Sequence, residues 1–194
     1  GGVSVFAADI DGDGDQDVLR ALGGTKGLGL QVNTGDYNFN NTLYFEDIRG
    51  STSVYADDVD SDGDLDILAS SQYDNKITWY MNSGNLNFTS YVISNNAAGA
   101  RSVYSADMDG DGDIDVLSAS YDDEKIAWYE NDGEQNFKMH VITERAAIGA
   151  SSVFAADLEG DGDYDLFSAS PGDNKIAVHK NQGGEEFFPN SIIL

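Results

Sequence analysis

Three observations predict an all-β fold assembled from four similar sheets. An acidic loop of the form D-x-[DE]-x-D-G-x-x-D occurs four times in the 194 residues, at Asp9 to Asp17, Asp58 to Asp66, Asp107 to Asp115 and Asp157 to Asp165, spaced by 49, 49 and 50 residues. Each unit opens on G-x-x-S-V, at Gly1, Gly50, Gly99 and Gly149. Between these landmarks run short stretches rich in β-branched and aromatic residues, broken by Gly, Asn and Asp, with no convincing helical period. A repeat near 50 residues that carries four strands has the size of a propeller blade. The expectation is one domain over residues 1–194, a β-propeller of four blades (1–49, 50–98, 99–148 and 149–194), each of four antiparallel strands. Whether it closes with four blades or forms part of a larger propeller stays open.

Unit three shows the elements most plainly. Ser102 to Ala106 reads as a first strand leading into the acidic loop, Ile114 to Ser120 as a second, Lys125 to Glu130 as a third and Phe137 to Thr143 as a fourth. Turn signals separate them at Tyr121-Asp122-Asp123-Glu124 and Asn131-Asp132-Gly133. Strands within a stack of sheets are buried on both faces, which accounts for near-continuous runs such as Ile77-Thr78-Trp79-Tyr80-Met81. Trp79 and Trp128 lie in such runs and read as packing between blades rather than as sugar platforms. Unit one departs from the pattern: Leu28-Gly29-Leu30-Gln31 stands where the middle units have Ile-x-Trp-Tyr, as terminal repeats often do.

The acidic loops imply a cation. At about 5 Å two like charges repel by roughly 1 kcal/mol in water and roughly 3 kcal/mol at an effective dielectric near 20, so carboxylates this dense need neutralising. Every available donor is a hard oxygen, with no Cys and two His in the chain, which excludes zinc, copper and iron–sulfur chemistry. Calcium fits, because it accepts six to eight oxygens in a flexible cage. In the first loop Asp9, Asp11, Asp13 and Asp17 are expected to offer side-chain oxygens and Asp15 its carbonyl, with Gly14 making the sharp turn. The same positions recur as Asp58, Asp60, Asp62, Asp64 and Asp66, as Asp107, Asp109, Asp111, Asp113 and Asp115, and as Asp157, Glu159, Asp161, Asp163 and Asp165. That predicts about four calcium ions, one per repeat, with a looser fourth site because Glu159 adds a methylene. An EF-hand is excluded: its twelfth position needs a chelating Glu, and here it is Arg20, Ala69, Ser118 or Ser168.

The formal net charge is −25, and the four loops hold 20 of the 35 acidic residues. Four calcium ions would bring the balance only to −17, a field that repels nucleic acid and anionic membranes. The absence of cysteine leaves packing and metal to supply stability. No apolar run approaches the roughly 18 residues of a membrane span. The chain opens at Gly1 without Met, and a processed or excised segment is expected. Catalytic signals are weak. His140 and His179 sit in strand positions of different units, no G-x-S-x-G elbow occurs, and the paired carboxylates lie where a cation would hold them ionised.

The run Ala106-Asp107-Met108-Asp109-Gly110-Asp111-Gly112-Asp113-Ile114-Asp115-Val116-Leu117, followed by Trp128-Tyr129-Glu130-Asn131 and Phe137, resembles the FG-GAP or VCBS repeat. The resemblance spans essentially the whole chain and implies an integrin-alpha-type calcium-binding β-propeller, commonly of seven blades. It places the calcium loops on one face and the connections between strands two and three, and four and one, on the other, often ligand-binding, face. Carried over by position, that face holds Gln72, Tyr73, Asp74, Asn75, Asn95, Asn96, Arg101, Tyr121, Asp122, Asp123, Glu124, Glu144, Arg145, Asp173 and Asn174. Four blades rather than seven leave three arrangements open: a small closed ring, a fragment of a larger propeller, or a subunit whose edges pair with other copies. The expected function is a non-enzymatic, secreted or cell-surface adhesion or structural module with a protein or glycan ligand. The alternatives are a subunit of a self-assembling extracellular fibre and an accessory carbohydrate-binding domain of a larger secreted enzyme.

Overall fold

The computed structural model describes residues 3–24, 27–39, 41–143 and 147–183, and the backbone of 187–193. Every regular element among them is a strand. The first sheet is β1 (Ser4–Ala8), β2 (Asp17–Ala21), β3 (Leu28–Val32) and β4 (Asn41–Phe45). The second is β5 (Ser51–Asp57), β6 (Asp66–Ser71), β7 (Lys76–Asn82) and β8 (Phe88–Ser94). The third is β9 (Ala100–Ala106), β10 (Asp115–Ser120), β11 (Lys125–Asn131) and β12 (Phe137–Thr143), and the fourth is β13 (Ser152–Ala156), β14 (Asp165–Ser170), β15 (Lys175–Asn181) and β16 (Phe187–Ile193). Each sheet is a four-stranded antiparallel meander in chain order. The strands expected in unit three are found, three of them with one end displaced by one or two residues and Phe137–Thr143 with both ends as expected.

Sheets stack face to face, as propeller blades do, and the core lies in the gaps between them. Leu19, Leu28 and Leu30 of the first sheet pack with Val54, Ile67 and Tyr80 of the second. Leu68, Ile77 and Trp79 of the second meet Val103, Val116 and Tyr129 of the third. Leu117, Ile126 and Trp128 of the third meet Val153 and Leu166 of the fourth. Trp79 and Trp128 are fully buried, as inter-blade packing requires. An aromatic ladder runs along the first strands, with ring centroids 4.6 Å apart for Phe6–Tyr55, 4.7 Å for Tyr55–Tyr104 and 4.8 Å for Tyr104–Phe154. Its even spacing follows from one equivalent position being repeated in each sheet.

Among the described residues, no sheet covers the outer face of the first or of the fourth sheet. Val5 is 69% exposed, whereas its equivalents Val54, Val103 and Val153 are 4%, 3% and 5% exposed under the preceding sheet. Unit one departs from the pattern on this uncovered face. Cross-strand partners share a face, so Gln31, opposite Val18, and Gly29, opposite Arg20, belong to the uncovered side, while Leu28 and Leu30 point the other way into the second sheet.

His179 of β15 occupies the place of Tyr80 and Tyr129, and its Nε2 lies 2.9 Å from Ser168 Oγ, just as Tyr129 Oη lies 3.2 Å from Ser118 Oγ. Burial pushes its pKa down from 6.5 to about 4. The folded state therefore holds a neutral ring while the unfolded chain binds a proton below pH 6.5, and stability is lost as pH falls from 6.5 toward 4. Replacing His179→Tyr should remove that loss, on the order of 3 kcal/mol, from the urea midpoint at pH 4.5 relative to pH 7. An equal acid sensitivity in both proteins would show that the ring is not held neutral.

Candidate metal centre

All four acidic loops join the first two strands of a sheet, which places them at one end of the stack. Their backbone turns on a glycine with a left-handed φ of 96° to 99° at Gly14, Gly63, Gly112 and Gly162, a conformation that costs a side chain 1–2 kcal/mol or so. Within the loop, carboxylates fold back onto their own backbone. Asp9 accepts from Asp13 N at 3.0 Å and Gly14 N at 2.9 Å, and Asp58 accepts from Asp62 N and Gly63 N, both at 3.0 Å. Asp107 accepts from Gly110 N and Gly112 N at 2.8 and 3.1 Å.

Three loops gather carboxylate oxygens to within 4.8 Å of one another: Asp9, Asp11 and Asp13; Asp58, Asp60 and Asp62; and Asp107, Asp109 and Asp115. Oxygens bound to one calcium at 2.3–2.6 Å lie no more than about 5 Å apart, so these clusters have the size of a calcium shell. Asp60 Oδ1 is buried with no hydrogen-bond partner, which is costly unless a cation takes its place. The pKa values of Asp11, Asp60 and Asp109 are raised, first by burial and then by neighbouring carboxylates. The donor set therefore fits a hard divalent ion.

The other expected ligands are placed differently. Asp17, Asp66, Asp115 and Asp165, at the ninth position, are buried at the root of the loop. Asp66 accepts from Val59 N at 3.1 Å, Trp79 Nε1 at 2.9 Å and Asn82 N at 2.7 Å. Asp17 accepts from Ile10 N and Asn33 N, Asp115 from Met108 N and Asn131 N, and Asp165 from Leu158 N and Asn181 N. Each thus ties the start of the second strand to the loop backbone and to the end of the third strand, and only Asp115 also joins a cluster. Burial pushes Asp66 up to about 6 and Asp115 up to about 7 against these hydrogen bonds.

At the seventh position, Asp64, Asp113 and Asp163 aim a carboxylate at the turn between the third and fourth strands. Their Oδ2 atoms lie 3.1, 2.5 and 3.5 Å from where a Cβ would sit on Gly84, Gly133 and Gly183. Asp15 lies likewise against Gly35. Asp111 and Asp161, at the fifth position, accept from Asp113 N and Asp163 N at 2.9 and 3.2 Å. In the fourth loop Glu159 pairs with Lys180, and hydrogen bonds from Gly162 and other backbone amides lower the pKa of Asp157.

The asparagines Asn33, Asn82, Asn131 and Asn181 were missed by sequence reasoning, although each follows its ninth-position Asp by sixteen residues. The side chains of the last three join sheet to sheet. Asn82 Nδ2 donates to Ile10 O of the preceding sheet at 3.2 Å, Asn131 Nδ2 to Val59 O at 3.1 Å and Asn181 Nδ2 to Met108 O at 2.6 Å. The strand-clamping Asp, the loop carbonyl and the next sheet are therefore one network.

At the opposite end, several residues expected on a ligand face are committed internally. Asp74 pairs with Arg49 at 2.8 Å, Asp123 with the buried Lys125 at 2.9 Å and Asp173 with Lys175 at 2.6 Å. Asn75 Oδ1 accepts from Gly99 N, and Asn96 O accepts from Lys125 Nζ. Tyr73 and Tyr121 are exposed, and Arg101 lies over the Tyr121 ring at 4.9 Å. Gln72, Asn95, Asp122, Glu124 and Asn174 lie in the same loops, whereas Glu144 and Arg145 fall outside the described residues. Among the described residues no helix is long and apolar enough to cross a membrane.

The FG-GAP-like repeat model matches residues 9–69, 58–118 and 107–168. No curated protein matches the chain. Among solved structures, an Agrocybe aegerita lectin described for specific recognition of non-reducing terminal N-acetylglucosamine superposes with a TM-score of 0.62 at 22% identity, covering 96% of this chain and 51% of that one. An auxiliary nutrient binding protein from Bacteroides ovatus gives 0.62 at 10% identity, covering 96% and 46%. The V. cholerae biofilm matrix protein Bap1 gives 0.54 at 23% identity, covering 93% and 27%. The chain thus spans about half the length of the first two and about a quarter of the third. These likenesses establish an all-β, propeller-like fold.

Proposed function

The chain belongs to the FG-GAP-like repeat family, and on that premise we propose that it is a non-enzymatic, calcium-stabilised extracellular binding module whose ligand is a glycan or a protein. The observation that carries the reading is the recurrence of a carboxylate cluster of calcium size in successive sheets, one of them with an unbonded buried oxygen. Asp9, Asp11 and Asp13, Asp58, Asp60 and Asp62, and Asp107, Asp109 and Asp115 would hold the ions. Bound calcium would neutralise the loops and lock the hairpin between the first two strands. Weak sites of this oxygen type fill at the calcium levels found outside cells. Similarity to proteins described as a lectin, a nutrient binding protein and a biofilm matrix protein supports ligand binding rather than catalysis. So does the histidine chemistry: His179 is sealed in the stack and His140 lies stacked on Trp128.

Glycan binding is placed at the end opposite the calcium loops, where Tyr73 and Tyr121 offer exposed rings. A glycan array that includes terminal N-acetylglucosamine, run in calcium, should give binding that Tyr121→Ala weakens severalfold to about tenfold, the worth of one stacked ring. Silence across glycan and matrix-protein arrays, from protein shown to be folded, would remove the binding role.

A further inference from the structure

The gap between the first and second sheets holds, along its outer edge, an open groove of about 270 Å³ with Phe45, Glu46 and Asp47 on one side and Tyr80, Phe88 and Ser90 on the other. Both walls belong to sheets that the chain itself stacks. Phe45 lies 4.7 Å from the Tyr80 ring between centroids and meets Phe88 edge-on at 5.2 Å. Ser90 is the cross-strand partner of Tyr80 and shares its face.

Four residues make this gap unlike its neighbours. Phe45, paired with Leu28, stands where the second sheet pairs Ser94 with Ile77 and the third pairs Thr143 with Ile126, so an aromatic wall replaces a small side chain. Ser90 stands where the third sheet sets Met139 opposite Tyr129, so room opens beside that wall. Asp47 and Asn96 each stand three residues before the glycine that opens the next unit, and only the first carries a charge. Ala69 occupies the position of Ser118 and Ser168, whose hydroxyls meet Tyr129 and His179 within their own sheets. The Tyr80 hydroxyl donates instead to Asp47 Oδ1 at 3.0 Å, across the gap. Burial first, and then the Asp47 charge, pushes the Tyr80 phenol above its ordinary value of 10, so it remains a donor. A carboxylate is thereby fixed at the mouth of an aromatic groove.

The ligand chemistry follows from the walls and the charge. Arg49 pairs with Asp74 at 2.8 Å, and Lys76 acts on the same carboxylate, so these two cations serve Asp74 rather than the groove. The chain as a whole, at −25, draws cations toward it. We propose that the groove binds an organic cation of the quaternary ammonium class, a trimethylammonium group whose methyls pack on Phe45 and Phe88 while its charge faces Asp47 and Glu46. A primary ammonium brings N–H donors that each need an acceptor, and here the carboxylates sit only at the mouth. A quaternary ammonium has no N–H to satisfy and is held by ring faces and carboxylate charge alone. The groove shares no residue with the exposed rings of Tyr73 and Tyr121, so a silent glycan array leaves it standing.

Magnetic resonance of the chain in calcium, titrated with choline chloride at constant ionic strength, tests the site. The amide signals of Phe45, Asp47 and Ser90 should shift and saturate at millimolar choline. Asp47→Asn keeps the shape and removes the charge, and Ser90→Met fills the groove with the residue of the next gap; each should weaken binding severalfold to about tenfold. Asp36→Asn, an equal loss of charge at an exposed turn, should leave binding unchanged. Signals outside the groove that stay in place show that the variants fold. Neohexyl alcohol, the uncharged carbon isostere of choline, should move none of the three signals. Phosphocholine in a parallel titration separates the sources: binding of choline alone assigns the free cation, and binding of both assigns a head group. Saturation by neohexyl alcohol at the same concentration would overturn the proposal, as would equal losses in Asp36→Asn and Asp47→Asn, undiminished binding by Ser90→Met, or no saturable shift up to about 100 mM choline.

Discussion

Stripping calcium with EGTA at pH 8 is expected to lower the melting temperature by roughly 10–20 °C and to expose the chain to protease. At calcium about tenfold above the dissociation constant, each site adds about 1.4 kcal/mol, and four add about 6 kcal/mol. That is comparable with the whole stability of an ordinary domain, about 5–15 kcal/mol. For a chain of this length each kcal/mol moves the midpoint by about 2–4 °C. The calcium increment should also shrink on acidification. The metal-free fold holds Asp115, which joins the third cluster, protonated up to about pH 7, while the unfolded chain has released that proton above its usual value of 3.8. In that window the native state binds more protons, so the metal-free protein loses stability from this group as pH rises toward 7, and calcium restores more at pH 8 than at pH 5. Melting that is indifferent to chelator at pH 8 would remove the structural role of the loops.

Asp66→Ala should cost about 3–5 kcal/mol, whether or not calcium is present. The substitution leaves Val59 N, Trp79 Nε1 and Asn82 N without their acceptor in a buried position, and each orphaned donor costs about 1–3 kcal/mol. Asp62→Ala should behave in the opposite way. Its oxygen accepts only from Asp64 N on the surface, so in chelator the loss is a few tenths of a kcal/mol, while in calcium it forfeits the stabilisation of one site. Urea midpoints for both variants, each with calcium and with EGTA, separate clamp from cage. Asp66→Ala that matters only with calcium would make the ninth position a ligand and nothing more.

Repetition made most of this fold legible. The 49-residue period, the strand runs and the turn dipeptides located the sheets, and density of negative charge located the loops. What composition and spacing hid was the division of labour among the carboxylates. All five acids of a loop look alike as letters, but the pleat buries Asp66 at the strand root and turns Asp64 away toward Gly84. The asparagines at 33, 82, 131 and 181 escaped notice because an Asn after a strand reads as a turn former, and its reach across the gap depends on how sheets stack. The openness of the ends was equally hidden. Val5 and Val54 are the same residue in the same motif, and only the presence of a neighbouring sheet distinguishes them.

Calcium binding itself is the claim on which the rest depends, and titration calorimetry of the decalcified chain measures it directly. The expected result is three sites of similar affinity, from the loops starting at Asp9, Asp58 and Asp107, and a weaker fourth where Glu159 pairs with Lys180; Asp62→Ala should delete one of the three. A flat titration up to several millimolar calcium, from protein that remains folded, would contradict it.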